Sequence, residues 1–326
     1  MKKARSCQSV IDVIGNTPLV RLNRVAQDIP GEVFAKLEFL NPMGSSKDRI
    51  ARYMIEKAER EGKIKPGDLI IENSSGNTAL GLALIALQKG YRLKVVVRDR
   101  ISREKLDQLR ALGAEIHTVD STLPPEHPDS YNNITPRLAR ETPNCFFPDQ
   151  HNNLDNNEAH YRGTGPEIWE QMEGRIDYFV AGIGTGGTIG GTARFLKEKD
   201  PRIQVIAVDP KGSVFHDYFH YKKLVKPGPY LIEGLGDEFL IGCAVFTHID
   251  DMLQVTDREA FLTAREIARR EGLLVGGSSG AALWGVRQLA KRLDRPARIV
   301  TVFPDGASRY LSTIYNDEWL AEKGLA

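Results

Sequence analysis

The stretch VAGIGTGGT (180–188) runs out of the apolar DYFVA and into a segment of helical pattern. Gly182, Gly184 and Gly187 satisfy G-x-G-x-x-G, and Asp209 closes the next apolar run, QVIAVD. Strand, glycine turn, helix and a strand ending in an acid are the pattern of a dinucleotide site. The glycines let backbone N–H groups approach an anion, and the helix N-terminus adds a favourable dipole. The turn therefore reads as a phosphate site before it says whose phosphate. A plain strand-to-helix turn would also read this way. Two details weigh against a nicotinamide cofactor. Thr185 and Thr188 add hydroxyl donors suited to a terminal phosphate monoester. The motif also lies deep in the chain, after several βα units.

The rest of the chain repeats that rhythm. LIIEN (69–73) leads through SSGNT into ALGLALIALQK, and YRLKVVV (91–97) into SREKLDQLRALGA. EIHTVD and CFFPD (145–149) read as strands, and EAHYRGTGPEIWEQM as one helical run. DYFVAGIG and QVIAVD come next. The helix REAFLTAREIARREG, the helix GGSSGAALWGVRQLAKRL, the strand ARIVTVFPD and a last helix complete the series. Near-continuous apolar strands alternating with helices predict an α/β fold of parallel-rich sheets covered on both faces. The stretches 121–133 and 211–240 lack a period and read as functional loops. The length allows two domains, 1–153 and 154–326.

The totals exclude several classes. A formal charge of +1 gives no electrostatic reason to bind nucleic acid or an anionic membrane. The three cysteines, Cys7, Cys145 and Cys243, are far apart and have no metal spacing, so neither a disulfide framework nor a structural zinc is expected. A reducing cytoplasm is the expected setting. MKKARSCQSVIDVIG lacks the apolar core of a signal peptide, and no apolar run reaches membrane-spanning length.

Three more turns have the character of 180–188. In NPMGSSKDR (41–49), Lys47 stands at a helix start, where the macrodipole favours acids; a solvated surface lysine is the alternative. NSSGNT (73–78) offers hydroxyls, an amide and a glycine at a helix N-terminus, fit for a carboxylate or simply an N-cap turn. GGSSGAA (276–282) precedes another helix. Four such turns should lie at one edge of the sheets, where α/β proteins bind ligands.

With Lys47, SSGNT, GTGGT and GGSSG in this order, the chain resembles the fold-type II pyridoxal-phosphate enzymes, the tryptophan synthase β-like fold. Within them it resembles the cysteine synthase and cystathionine β-synthase branch, most of all a cystathionine β-synthase catalytic core. The resemblance runs from GNTPLVRLN (15–23) to PDGASRYLSTIYNDEWL (304–320). It implies two three-layer α/β domains, the first with the lysine and carboxylate loop, the second with the phosphate loop. It implies pyridoxal 5'-phosphate with Lys47 as its Schiff-base lysine. Gly184, Thr185, Gly186, Gly187 and Thr188 would hold the phosphate. Asn77 would lie beside the ring hydroxyl and Ser278 at the pyridine nitrogen. Ser74, Ser75, Thr78 and Gln150 would receive the substrate carboxylate.

The implied reaction is β-replacement on serine or an activated serine through an aminoacrylate. A serine at the ring nitrogen suits elimination, and Lys47 is the natural proton acceptor. HPDSY (127–131) and PYLIEGLGDEF (229–239) are similar to cystathionine β-synthases, and Glu233 matches a loop glutamate that would handle protons for serine and homocysteine. A loop carboxylate facing solvent is the other reading of Glu233. GTGPEIWEQM (163–172) is similar instead to cysteine synthases, which use an activated serine and sulfide. An amine nucleophile is a third reading. A phosphoserine donor would favour basic groups such as Arg98, Arg100 and Arg103. Ser46, Asn73-Ser74, Val97-Arg98 and Asp237 depart from the family's usual residues. The resemblance further implies small amino-acid substrates, a homodimer and, for a cysteine synthase, a serine acetyltransferase tail as partner. Neither haem nor nucleotide-like regulation is expected, since the family's extra segments are not matched.

Overall fold

The computed structural model describes residues 6–124 and 126–326. The chain opens with β1 (Leu19–Arg21), β2 (Gly31–Leu37), α1 (Lys47–Arg60), β3 (Leu69–Asn73), α2 (Asn77–Lys89), β4 (Arg92–Arg98) and α3 (Arg103–Ala111). It continues with β5 (Glu115–Val119), α4 (Tyr131–Glu141), β6 (Cys145–Phe146), α5 (Asp155–Arg162), α6 (Thr164–Gln171), β7 (Tyr178–Gly182) and α7 (Gly187–Lys199). It ends with β8 (Gln204–Pro210), α8 (Phe215–Tyr221), β9 (Asp251–Val255), α9 (Asp257–Glu271), α10 (Gly277–Ala290), β10 (Ala297–Phe303) and α11 (Asp317–Glu322). Two compact units result: residues 6–15 with Asn41–Asp155, and Asn16–Leu40 with Asn156–Ala326.

In the first unit four parallel strands lie in the order β5-β4-β3-β6. Alternate side chains feed opposite faces. Ile70, Val95 and Val97 pack with Ile55 of α1, the apolar α2 and Leu109 of α3, while Ile71, Val96 and Val119 pack with Ile134 of α4. That two-sided burial is why LIIEN is apolar throughout rather than alternating. α2 is buried from Thr78 to Ala86, which fits its lack of a polar face.

The second unit has the order β1-β2-β10-β7-β8-β9, parallel except for the edge strand β1. Val180, Ile206 and Val208 face Phe261, Ala264 and Ile267 of α9 with Leu283 and Val286 of α10. Phe179, Ala181, Val205 and Ala207 face Ile168 of α6, Ile189 and Leu196 of α7, and Phe215 of α8. Both units are thus three-layered, and the expected parallel-rich α/β architecture is the one observed.

The structure departs from the local sequence pattern in three places. The helical run 158–172 is two helices, broken at Gly163, whose φ −120° and ψ −79° leave the helical region. CFFPD pairs only over Cys145–Phe146. The irregular stretch 121–133 ends in α4, which starts at Tyr131. No helix among the described residues is long and apolar enough to cross a membrane.

Candidate active site

Lys47 is the first residue of α1. Its N–H donates to Ser45 Oγ at 3.2 Å, while Ser46 makes no cap bond and its buried hydroxyl lacks a hydrogen-bond partner. Asp48 is fully buried, and its carboxylate takes the Met43 N–H at 2.6 Å. NPMGSSKDR is therefore not a surface turn, and the Lys47 side chain is half-buried. A methyl on Gly81 would lie 3.0 Å from the Lys47 carbonyl, so the start of α1 packs on the first half of α2.

That helix begins beyond the C-terminal end of β3, where NSSGNT turns the chain. Ser74 Oγ accepts from the N–H groups of Gly76 and Ala79, each at 3.3 Å, and holds the turn shut. Thr78 Oγ1 donates to Gln150 Oε1 at 2.5 Å, and Gln150 Nε2 reaches the Asn73 carbonyl at 3.5 Å. Ser75 and Asn77 are half-buried in the same turn. The first unit thus brings Ser74, Ser75, Asn77, Thr78 and Gln150 together, with Lys47 on the adjoining helix.

Three neighbours escaped the sequence reading. Burial pushes the Tyr131 phenol up to about 12, against opposing contributions from Arg98 and from a hydrogen bond with Ser75. The Arg98 guanidinium lies 4.7 Å over its ring. Glu72, below the turn, is held well above the carboxylate range by burial first and Asp149 second. Burial also lowers His151 below its usual value, and the Lys47 ammonium adds to that shift. Tyr131 lay within a noted loop, and His151 follows Gln150. Neither carries a local pattern of its own.

In the second unit the glycine turn sits beyond the C-terminal end of β7. Gly186, the N-cap of α7, has φ +87°, and a methyl there would meet Ala244 Cα at 2.5 Å. No side chain caps α7 through Gly186, so its first N–H groups are presented to an incoming anion, flanked by the half-buried Thr185 and Thr188. By contrast α3, α9 and α11 are capped by Ser102, Thr256 and Asn316.

Ser278 is buried in the first turn of α10, whose N-cap Gly276 also offers no side-chain cap. Val275 bridges to Gly306, just past the end of β10, which neighbours β7. Ser278 and GTGGT therefore share the C-terminal edge of one sheet. Behind Ser278, Gly276 N–H donates to the Asp305 carbonyl at 3.1 Å. Burial, then the carboxylates of Asp305 and Glu233, push the Tyr310 phenol well above its usual value.

Glu233 is exposed, yet its loop is not free. Gly236 N–H donates to the Ile183 carbonyl at 2.8 Å, and a methyl on Gly184 would lie 2.1 Å from the Gly234 carbonyl. The Glu233 loop is stacked on the glycine turn. Asp209, the acid of the dinucleotide pattern, is fully buried and takes the His216 N–H at 3.0 Å, so it offers nothing to a ribose. Among the described residues no group of three or more His, Cys, Asp or Glu could hold a metal ion.

In the second unit an uncapped helix N-terminus flanked by hydroxyls and a buried serine suit a phosphorylated pyridine, and in the first a half-buried lysine suits an aldehyde. Residues 10–305 match the model of the family described as pyridoxal-phosphate dependent enzyme. The chain belongs to that family. It is 43% identical over 318 residues to a cystathionine beta-synthase of Apis mellifera, covering 97% of this chain and 63% of that protein. It is 40% identical to one of Saccharomyces cerevisiae, covering 99% of this chain and 66% of that protein. The chain thus spans less than two thirds of these curated relatives. A crystal structure of a hydrogen sulfide-producing enzyme from Fusobacterium nucleatum superposes with TM-score 0.87 at 36% identity, covering 95% of this chain and 99% of that one.

Proposed function

We propose that the chain catalyses β-replacement on serine, with homocysteine as the thiol and cystathionine as the product. Bound pyridoxal phosphate supplies electron withdrawal from the amino-acid substrate. The chain's residues do the rest. The α7 N-terminus with Gly184, Thr185, Gly186, Gly187 and Thr188 would hold the phosphate, and Asn77 would lie by the ring hydroxyl. Ser278, a hydroxyl and not a carboxylate, leaves the pyridine nitrogen largely unprotonated, which favours prompt loss of the β-substituent. Ser74, Ser75, Thr78 and Gln150 hold the substrate carboxylate and fix the Cα–H bond for Lys47 Nζ, which takes its proton. The Cβ–O bond breaks with its electron pair on oxygen, Lys47 passes the proton it took from Cα to that oxygen, and water leaves. As the new Cβ–S bond forms, Glu233 takes the thiol proton, and Lys47 delivers a proton to Cα, so that one proton enters with the thiol and one ends on Cα.

The observation that carries the choice of thiol is the stacking of the Glu233 loop on the glycine turn. A carboxylate on a loop stacked against that turn suits a nucleophile that must shed a proton, and the 43% and 40% identity to cystathionine beta-synthases favours homocysteine as that nucleophile. The test crosses serine, O-acetylserine and O-phosphoserine with sulfide, homocysteine and small amines. Serine with homocysteine should give the highest kcat/KM; a higher value for sulfide or an amine overturns the assignment.

A second reading, sulfide with an activated serine, draws on GTGPEIWEQM and on the hydrogen sulfide-producing neighbour. Under it, a serine acetyltransferase tail is the expected partner. Under either, the chain works as a cytoplasmic homodimer.

A further inference from the structure

The phosphate turn is backed by three polar side chains of α5 that no reading above uses. Asn156, Asn157 and His160 are 1%, 7% and 0% exposed. Positions i, i+1 and i+4 share one side of a helix. Asn156 Nδ2 donates to Thr185 Oγ1 at 3.0 Å. Asn157 Nδ2 donates to the carbonyls of Gly186 at 3.5 Å and Cys243 at 3.0 Å. His160 lies between two hydroxyls, with Nε2 3.1 Å from Thr188 Oγ1 and Nδ1 2.8 Å from Thr164 Oγ1. A methyl on Gly187 would meet Asn156 Oδ1 at 1.7 Å, so the turn and α5 are in direct contact.

A threonine hydroxyl can give or accept, whereas a phosphate dianion only accepts. A hydroxyl facing a dianion is useful when its own proton points outward. A donor placed behind its oxygen enforces that direction. Asn156 does this for Thr185. Resting on the reading of 184–188 as the phosphate turn, we propose that His160 does it for Thr188. Its Nε2 carries the proton that Thr188 Oγ1 accepts, Nδ1 accepts from the Thr164 hydroxyl, and the Thr188 proton is left to the phosphate. His160 is a positioning residue that acts through Thr188 and touches no substrate.

The test begins with the native holoenzyme, labelled with 15N in its histidines. The His160 ring should show a protonated Nε2 coupled to the Thr188 hydroxyl; a bare Nε2 overturns the proposal without any variant. Affinities of the apoprotein for pyridoxal phosphate and for pyridoxal supply the second readout. His160→Leu should weaken the phosphorylated cofactor about tenfold or more and leave pyridoxal unchanged, since a hydrogen bond to a charged group is at stake. His160→Gln, which can restore a donor, should recover most of the loss. Equal weakening of both ligands marks a structural role only and overturns the proposal. Thr188→Val separates the layers. If it too leaves pyridoxal phosphate affinity unchanged, the phosphate reading itself fails. If it weakens binding while His160→Leu does not, the histidine proposal alone fails.

Discussion

The Tyr310 phenol donates a 2.7 Å hydrogen bond to Asp305 Oδ2, and both side chains are buried behind the turn that carries Ser278. Tyr310→Phe removes the donor and leaves a buried carboxylate under-satisfied. The expected cost is about 1–3 kcal/mol of stability. The absorbance of the bound cofactor should also shift, because Gly276 N–H hangs on the Asp305 carbonyl. Chemical denaturation and the visible spectrum check the two effects separately. Wild-type values for both would detach this pair from Ser278.

Lys47→Ala should leave a folded protein that no longer forms the borohydride-sensitive long-wavelength band. Turnover should fall by at least about a thousandfold, because in the proposed mechanism one side chain both anchors the cofactor and moves the Cα proton. A variant that stays yellow and is reduced by borohydride would point to another lysine.

Glu233→Gln keeps the size and most of the contacts of an exposed loop residue. Cystathionine formation should drop about a hundredfold, within the range of general acid–base catalysis. The cofactor band should not change. Steady-state rates alongside the spectrum decide it, and full activity would return Glu233 to a solvent-facing role.

Asp209 gives a stability signature of its own. Burial raises its carboxyl from 3.8 to about 7, with Asp217 and Asp237 adding to the shift and Ser213 and the His216 N–H opposing it. The folded value lies above the unfolded one, so the native state keeps the proton after the unfolded chain has lost it. Stability from this group is complete below about pH 4 and declines as pH rises to about 7. Asp209→Asn abolishes that decline. Between pH 4 and pH 8 the variant should gain on the wild type by up to about 4 kcal/mol. Urea denaturation at the two ends measures the gap, and a constant difference would show that Asp209 does not titrate in this window.

The parts of the molecule that were legible in the sequence are those whose partners are close along the chain. LIIEN and the apolar α2 are read from local hydrophobicity, and GTGGT from its glycines. β2 is harder. Its Lys36 is fully buried, held at 2.7 Å by Glu167 and at 2.6 Å by the Thr17 carbonyl. A lysine in a strand looks solvent-facing until that distant partner is known. The α5 row fails in the same way. Two asparagines and a histidine on a helix look like its wet side, yet they are the side that meets the glycine turn. Their i, i+1, i+4 spacing puts them on one side of a helix, but the glycine turn they meet lies 29 residues further on, from Asn156 to Thr185. α4 was hidden because Pro136 and the asparagines at 132 and 133 argue against a helix by propensity.

The strand order of the second unit bears on how the chain is made. β10, at Ala297–Phe303, is seated between β2, at Gly31–Leu37, and β7. On the ribosome β2 emerges long before β10, its parallel partner, whose Ala297 pairs with Gly31. Until then, the open side of β2 has no strand to pair with, and the β7-β8-β9 block has an unpaired edge along β7. The second sheet closes only when its central strand arrives, so β2 must wait with a sticky edge exposed until β10 has been made. That makes the nascent chain a natural client for a chaperone.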